Sequence, residues 1–336
     1  MRILLTFDDN YAPHAAVTVE SILRNTSIKP DFAIMYFEEK LTQATREILL
    51  LHFENRVNSI KFYPVGDQIK NYLSQVDIPD YLSHDTFLRL FSANILKDDD
   101  VILYLDVDII VYGDIECLMN SADLNYVINA VAEHYPSPRI KELESKAFKT
   151  EKERISLNQE VVLMNRKKLI DMLPDTPYFN GGVMIINLKK WREEQILDRC
   201  LQFFSTHKVL PCADQDVLNG IFNGNFGKLP LCWNIHPYIK TLNEYTCRYT
   251  KEELKEAVEY PKIIHFTDYK AWNYLYENKF EKELYWKYRA ATPWPQRKEQ
   301  GKNLKNIFFV NLYRPMRKLI KSLLGEKILR KINQIK

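Results

Sequence analysis

Apolar and polar positions alternate in two periods along the first third of the chain. Residues 3–7, "ILLTF", are a short apolar run of strand type. Within "APHAAVTVESILRNT" at 12–26, Ala16, Val19, Ile22 and Leu23 recur at helical spacing. "FAIMYFE" at 32–38 predicts a second strand. "LTQATREILLLHF" at 41–53 predicts a second helix, with Thr42 as its N-cap. "SIKFYPV" at 59–65 reads as a third strand, "SHDTFLRLFSANIL" at 83–96 as a helix, and "VILYLDVDIIV" at 101–111 as a fourth strand. This alternation is that of an α/β protein: a mostly parallel sheet flanked by helices.

Further on, "YVINAVAE" at 126–133 predicts another strand, and 137–172 is a charged, helically patterned insertion. "GVMIINLKKWREEQILDRCLQFF" from Gly182 gives strand then helix. "DQDVLNGIF" at 214–222 opens a helix that Asp214 and Asp216 can cap, and "PKIIHFT" at 261–267 is a late strand. The pattern changes near residue 296. Residues 302–336 carry ten Lys or Arg and a single acid, Glu326, with apolar residues at 312, 316, 319, 320, 323, 324 and 328. A basic amphipathic segment of this kind is expected to lie on an anionic membrane surface. The division is thus a body at 1–295 and a helical tail at 296–336.

Composition narrows this picture. A chain of 336 residues with 46% hydrophobic residues has room for a sizeable core. A net charge of +3 argues against a nucleic-acid binder working through overall charge. The five cysteines are odd in number, widely spaced and without a C-x-x-C, which predicts a reducing, cytoplasmic setting. The apolar run at the start is too short for a signal-peptide core, and no run of 18 apolar residues occurs.

Against this background Asp106 and Asp108 stand out. They interrupt an apolar strand, where aspartate is depleted. Residues i and i+2 of a strand point to one face, so the two carboxylates converge, with Val107 turned away. A hard divalent cation relieves their repulsion and leaves coordination positions for phosphate. In open α/β sheets such sites lie at the carboxyl ends of strands. D-x-D alone is a weak signal, since "DDD" at 98–100 and "DQD" at 214–216 occur in the same chain. A solvated strand-end turn is the competing interpretation.

"LYLDVDIIV" resembles the metal-binding strand end of retaining glycosyltransferase family 8. Four other stretches resemble that family in the right order: "LTFDDNYAPHAAVTVESIL", "TFLRLFSANIL", "YFNGGVMIINLKKW" and "DQDVLNGIF". Together they span roughly residues 1–275. The resemblance implies a Rossmann-like, A-type nucleotide-diphospho-sugar transferase fold. It implies Mn2+, with Mg2+ as the alternative, held by Asp106, Asp108 and His265. It places Thr6, Asp8, Asn10, Tyr11, Arg89, Val107, Asn180, Gly181, Gln215 and Lys270 at the donor, with Tyr11 stacked on the base. Glu133, Asp214 and Gln215 become the candidates beside the reacting sugar. One departure is visible. The family usually has a glycine and a proline between the metal histidine and the lysine, whereas "TDYKAW" here is one residue shorter and lacks the glycine.

The function so implied is transfer of a hexose, galactose or glucose, from a UDP-sugar to a saccharide or lipid-linked glycan with retention at the anomeric carbon. Gln215 is an amide and a poor nucleophile, so front-face attack is the more economical path. Three alternatives stay open on the residues alone: another metal-dependent nucleotide-sugar enzyme, a non-catalytic nucleotide-sugar module, and a nucleic-acid binder using the tail. The absence of a glycine-rich, basic first loop speaks against a nucleotidyltransferase.

Overall fold

The structure is a computed structural model. It describes residues 1–66, 84–133, 165–173, 175–207, 210–236, 249–267 and 270–316, together with 69, 239 and 319. Its centre is a seven-stranded sheet in the order β3-β2-β1-β4-β7-β6-β8. The strands are β1 (Arg2–Thr6), β2 (Asp31–Phe37), β3 (Ser59–Val65), β4 (Val101–Leu105), β6 (Ile128–Ala132), β7 (Phe179–Asn187) and β8 (Gly227–Lys228). β1 to β4 run parallel, whereas β7 is antiparallel to both β4 and β6. Central strands buried on both faces are expected to be continuously apolar. Accordingly all nine residues of β7 are buried, as are Ile102–Leu105 of β4.

Helix α1 (Ala12–Asn25) follows β1 directly and is nearly all buried, with Pro13 in its first turn where no intrahelical N–H is required. Helix α2 (Gln43–Phe53) begins as expected, the Thr42 side chain accepting from the Thr45 N–H. Two expectations need correction. The helix expected over 83–96 is a 3-10 helix at His84–Phe91 followed by a single α-turn at Ser92–Ile95. Within it the Thr86 carbonyl accepts from the side-chain Nε of Arg89 at 3.0 Å.

The strand expected at 101–111 is broken at the two aspartates. β4 ends at Leu105, and β5 (Ile109–Val111) leaves the main sheet to pair antiparallel with β9 (Ile263–His265). The Asp106 N–H donates to the Gly182 carbonyl at 2.8 Å and ends the β4–β7 ladder. The Asp108 carbonyl accepts from the Phe266 N–H at 2.9 Å and begins the β5–β9 pairing. Asp106-Val107-Asp108 is therefore the seam between two sheets.

Residues 165–169 of the charged insertion are helical, and 137–164 lie outside the described residues. Of the tail, Leu304–Phe308 is α-helical and Phe309–Tyr313 is a π-type turn. Arg314 ties this segment to the body, its guanidinium donating to the Leu275 carbonyl at 3.0 Å and pairing with Glu277 at 3.2 Å. Among the described residues no helix is long and apolar enough to cross a membrane.

Candidate active site

The seam brings Asp106, Asp108 and His265 together, with one ligand-type atom from each lying within 4.8 Å of the others. His265 Nε2 is 3.5 Å from Asp106 Oδ2 and 3.2 Å from Asp108 Oδ1. A chain of amides fixes what that nitrogen carries. The Gly182 N–H can only donate, and it does so to Asn180 Oδ1 at 2.9 Å. The same oxygen accepts from Asn234 Nδ2 at 2.9 Å, which leaves Asn234 Oδ1 to accept from His265 Nδ1 at 2.9 Å. Nδ1 of the ring therefore carries a proton, and Nε2 is turned toward two carboxylates. Two carboxylates and an imidazole nitrogen able to offer a lone pair, facing one point, suit a hard divalent cation. The close packing behind them depends on Gly182, since a Cβ there would lie 2.2 Å from His265 Cε1 and 2.7 Å from Asp106 Oδ2.

Cationic side chains flank the carboxylates. The Lys270 ammonium donates to Asp108 Oδ2 and, at 2.6 Å, to the Phe266 carbonyl. Burial alone would raise the Asp108 carboxyl, but the Lys270 ammonium beside it outweighs burial and holds it well below the usual range. Burial works against the Lys270 charge in turn, and Asp108 more than restores it. Thus the shortened loop still delivers Lys270 to the carboxylates. Its residues Asp268 and Tyr269 lie outside the described residues.

Arg89 is buried beneath the site. It donates to the Gly181 carbonyl at 2.5 Å, pairs with Asp106 at 3.3 Å, and pairs with Asp214 at 2.5 Å. Its charge also lies 4.4 Å over the Tyr104 ring, and the Tyr104 hydroxyl donates to Asp106 Oδ1 at 2.7 Å. Burial pushes the Asp214 carboxyl up to about 6, with Arg89 and Thr86 working against that rise. Asp214 is 1% exposed and accepts from Thr86 at 2.5 Å as well as pairing with Arg89. Neither it nor Asp216 caps the helix Ala213–Phe222, whose N-cap Cys212 makes no side-chain cap bond; Asp216 instead reaches back to accept from the Cys212 N–H at 2.6 Å.

A cavity of about 190 Å3 opens beside the carboxylates, lined by residues that include Thr6, Asp8, Tyr11, Asp85, Thr86 and Val107. Asp8 has a local role too, since its carboxylate accepts from the Tyr11 N–H at 2.9 Å and from Asn10 at 3.1 Å on the rim. Asp9 turns away and accepts from the Thr42 N–H at 3.0 Å. Thr6 Oγ1 lies 3.4 Å from the Tyr104 hydroxyl. The Tyr11 ring is 40% exposed and meets Trp272 edge-on at 6.3 Å, while His14 stacks on Trp272 at 3.6 Å. Burial and then Arg289 push His14 down to about 3, so it is a neutral ring of this aromatic wall.

Across the seam, Gln215 Oε1 accepts from the Gly181 N–H at 2.8 Å, and Asn180 donates to Glu133 at 3.2 Å. Of the residues expected at the site, Thr6, Asp8, Tyr11, Asp106, Val107 and Asp108 line the cavity, Arg89, Lys270 and His265 meet the aspartates, Asn180, Gly181, Gln215, Asp214 and Glu133 are linked to these by hydrogen bonds, and Asn10 bonds only to Asp8 on the rim. Sequence reasoning missed Tyr104, Asn234 and Thr86. Asn234 sits one residue after a short 3-10 turn in a stretch of no periodicity, and only its contact with His265 reveals it.

Comparisons with known proteins bear on the family and the fold. In sequence, the chain is 29% identical over 226 residues to a "Putative glycosyltransferase" of Haemophilus influenzae, spanning 67% of this chain and 60% of that protein. It is 24% identical to "General stress protein A" of Bacillus subtilis, over 88% of this chain and 94% of that one. It is 27% identical to the "Lipopolysaccharide 1,2-glucosyltransferase" of Escherichia coli, over 80% and 71% respectively. In structure, it resembles the galactosyltransferase LgtC solved with donor and acceptor sugar analogs, with TM-score 0.67 and 21% identity over 87% of this chain and 96% of that one. An active-site mutant of LgtC superposes with TM-score 0.69 at the same identity and coverage. The likeness to LgtC shows a shared A-type fold. Residues 2–276 match the domain described as Glycosyl transferase family 8. With that match over most of its length, and with paired aspartates and a histidine meeting at a sheet seam, this chain belongs to glycosyl transferase family 8 and is a glycosyltransferase.

Proposed function

We propose that the protein transfers a hexose, galactose or glucose, from a UDP-sugar to a hydroxyl of a saccharide acceptor, with retention at the anomeric carbon. The observation that carries this reading is the convergence of Asp106, Asp108 and the His265 lone pair beside Lys270. Those three residues would hold Mn2+ or Mg2+, which when bound supplies charge neutralisation for a leaving diphosphate. Lys270 adds a positive charge for the same phosphates, and Arg89 fixes Asp106 and the Gly181 carbonyl in place. Tyr11 offers an exposed ring for the base, with Thr6, Asp8, Asn10 and Val107 along the nucleotide. Asn180, Gly181, Gln215 and Glu133 face the sugar and the incoming hydroxyl.

The C1–O bond to the diphosphate breaks on the face from which the acceptor oxygen adds. The acceptor proton passes to the departing phosphate oxygen. This front-face path accords with Gln215 being an amide and with Asp214 being engaged by Arg89 and Thr86. Release of UDP is to be followed across a panel of nucleotide sugars with Mn2+. Activity on one UDP-hexose that chelation abolishes, and that Asp108→Asn nearly abolishes, is the expected result. Activity that survives both would sink the reading.

The acceptor is a lipopolysaccharide or another lipid-linked glycan, reached by a catalytic unit at 1–295 whose tail rests on the inner face of the cell membrane. What supports this is an exposed apolar row. Leu304 is 86% exposed, Phe308 60%, Leu312 46%, Met316 51% and Leu319 59%, at steps of three or four residues among basic side chains. Removing residues 302–336 should release the protein from anionic vesicles while leaving donor hydrolysis intact. Undiminished vesicle binding would refute the tail's role.

A further inference from the structure

Gln215 is half buried beside Gly181, and its carboxamide belongs to a hydrogen-bonded relay that continues away from the cavity. Its Nε2 donates to the Tyr178 hydroxyl at 3.1 Å, and that hydroxyl donates to Asp216 Oδ1 at 2.6 Å. Tyr178 and Asp216 are both 0% exposed, so neither touches solvent or a ligand. The direction of every proton can be read from the two ends. At one end the Gly181 N–H can only donate, which makes the atom facing it Gln215 Oε1 and leaves the NH2 for Tyr178. At the other end the Cys212 N–H donates to Asp216 Oδ2 at 2.6 Å. Asp216 therefore accepts on both oxygens and takes the Tyr178 proton. The two readings meet at the Tyr178 oxygen without conflict. One lone pair on Oε1 and one proton on Nε2 remain for a ligand.

We infer that Tyr178 and Asp216 are positioning residues that set which end of the Gln215 carboxamide faces the reacting sugar. The tyrosine proton, committed to Asp216, acts with the Gly181 N–H at the opposite end of the carboxamide to set that orientation. The Arg166 guanidinium lies 5.7 Å over the Tyr178 ring and adds a favourable charge beside Asp216. This inference rests on the proposed sugar-transfer role of the cleft.

The order of the relay makes a specific non-additivity. In Gln215→Glu the new carboxylate faces an oxygen whose proton points elsewhere. In Asp216→Asn the amide oxygen still serves the Cys212 N–H, so its NH2 faces Tyr178, and the tyrosine proton is driven toward Gln215, whose NH2 opposes it. In the double variant the reversed proton meets a carboxylate able to accept it. Each single substitution is expected to lower kcat by about tenfold or more, with the donor KM little changed, since small misplacements at a reacting centre cost up to about 100-fold. The double variant is expected to exceed the product of the two single effects by about fivefold or more, and to melt above the additive expectation.

The measurements are kcat and KM for UDP-hexose, with thermal melting, on the full chain with Mn2+. Single effects that simply multiply would overturn the relay while leaving the site reading intact. A wild type that releases no UDP from any donor would overturn the site reading itself. If Asp216→Asn does not fold, Tyr178→Phe reads the same link. It must lower kcat while leaving the donor KM near wild type, and an unchanged kcat refutes the inference.

Discussion

Gly182→Ala offers the most exacting test of how the site is packed. Real Cβ contacts essentially never fall under 3.0 Å, and the added atom would stand 2.2 Å from His265 Cε1, so the ring must retreat by about 0.8 Å or more. The Asp106 carboxylate, at 2.7 Å from the same point, must shift as well. Neither group moves freely, because His265 is bonded to Asn234 and Asp106 is held by Arg89 and Tyr104. Metal–ligand distances tolerate only about 0.2 Å. The expected result is a loss of Mn2+ affinity of about 10- to 100-fold, of the size seen when support for a ligand is lost. Overpacking should also cost about 1–3 kcal/mol of stability.

Affinity is measured by titrating Mn2+ and following the free ion by electron paramagnetic resonance, and stability by denaturant unfolding without metal. Gly181→Ala is the neighbouring control. Its nearest contact would be an ordinary 3.4 Å to Arg89, so metal affinity should be retained. If Gly182→Ala binds Mn2+ within about threefold of wild type, the glycine is not what lets the ligands converge, and the reasoning fails.

Three other outcomes follow from the same geometry. Asn234→Ala removes the acceptor that keeps the His265 proton on Nδ1, and should weaken Mn2+ binding by about tenfold or more while leaving Asp106 and Asp108 in place; unchanged affinity in the same titration would count against the tautomer argument. Because the folded Asp214 carboxyl, at about 6, holds its proton more tightly than an unfolded one near about 4, its contribution to stability is full below pH 4 and is lost as pH rises through 6. Asp214→Asn should therefore flatten the fall in unfolding free energy between pH 4 and 6, measured by denaturant unfolding at a series of pH values; an unchanged slope would contradict the assignment. Lys270→Ala removes the cation beside Asp108 and should lower the rate of UDP release far more than it alters the unfolding midpoint, and equal losses in both would point to a structural role.

How much of this was legible beforehand varies with how local each determinant is. Thr42 could be read as an N-cap because the bond it makes spans only to Thr45. β3 was found with its boundaries intact, since its apolar run ends at Val65 before Gly66. Asp106 and Asp108 were visible as an interruption, and they do converge, but at a break between two strands rather than along one. What could not be seen is that they break the strand altogether. Ile109–Val111 is as apolar as Val101–Leu105, and nothing in either run tells which sheet it joins. The partner that draws β5 away lies more than 150 residues later. Asn234, Tyr178 and Thr86 were missed for the same reason. Each acts through side-chain bonds that reach residues distant in the chain, and no spacing records such bonds.

The pairing of β5 with β9 also dictates when the site can exist during synthesis. A nascent chain that has reached residue 260 already carries Asp106, Asp108 and the whole parallel half of the main sheet. It has no third ligand, and Ile109–Val111, fully buried in the finished protein, lacks its partner strand. An unpaired apolar edge invites pairing with other chains, and contacts of such long range close late in folding. Competence for chemistry and protection of that edge thus arrive in one event, when residues 263–265 emerge and dock. A product truncated before that point is expected to be both inactive and prone to aggregate, which UDP release and sedimentation of a chain ending at residue 260 would check.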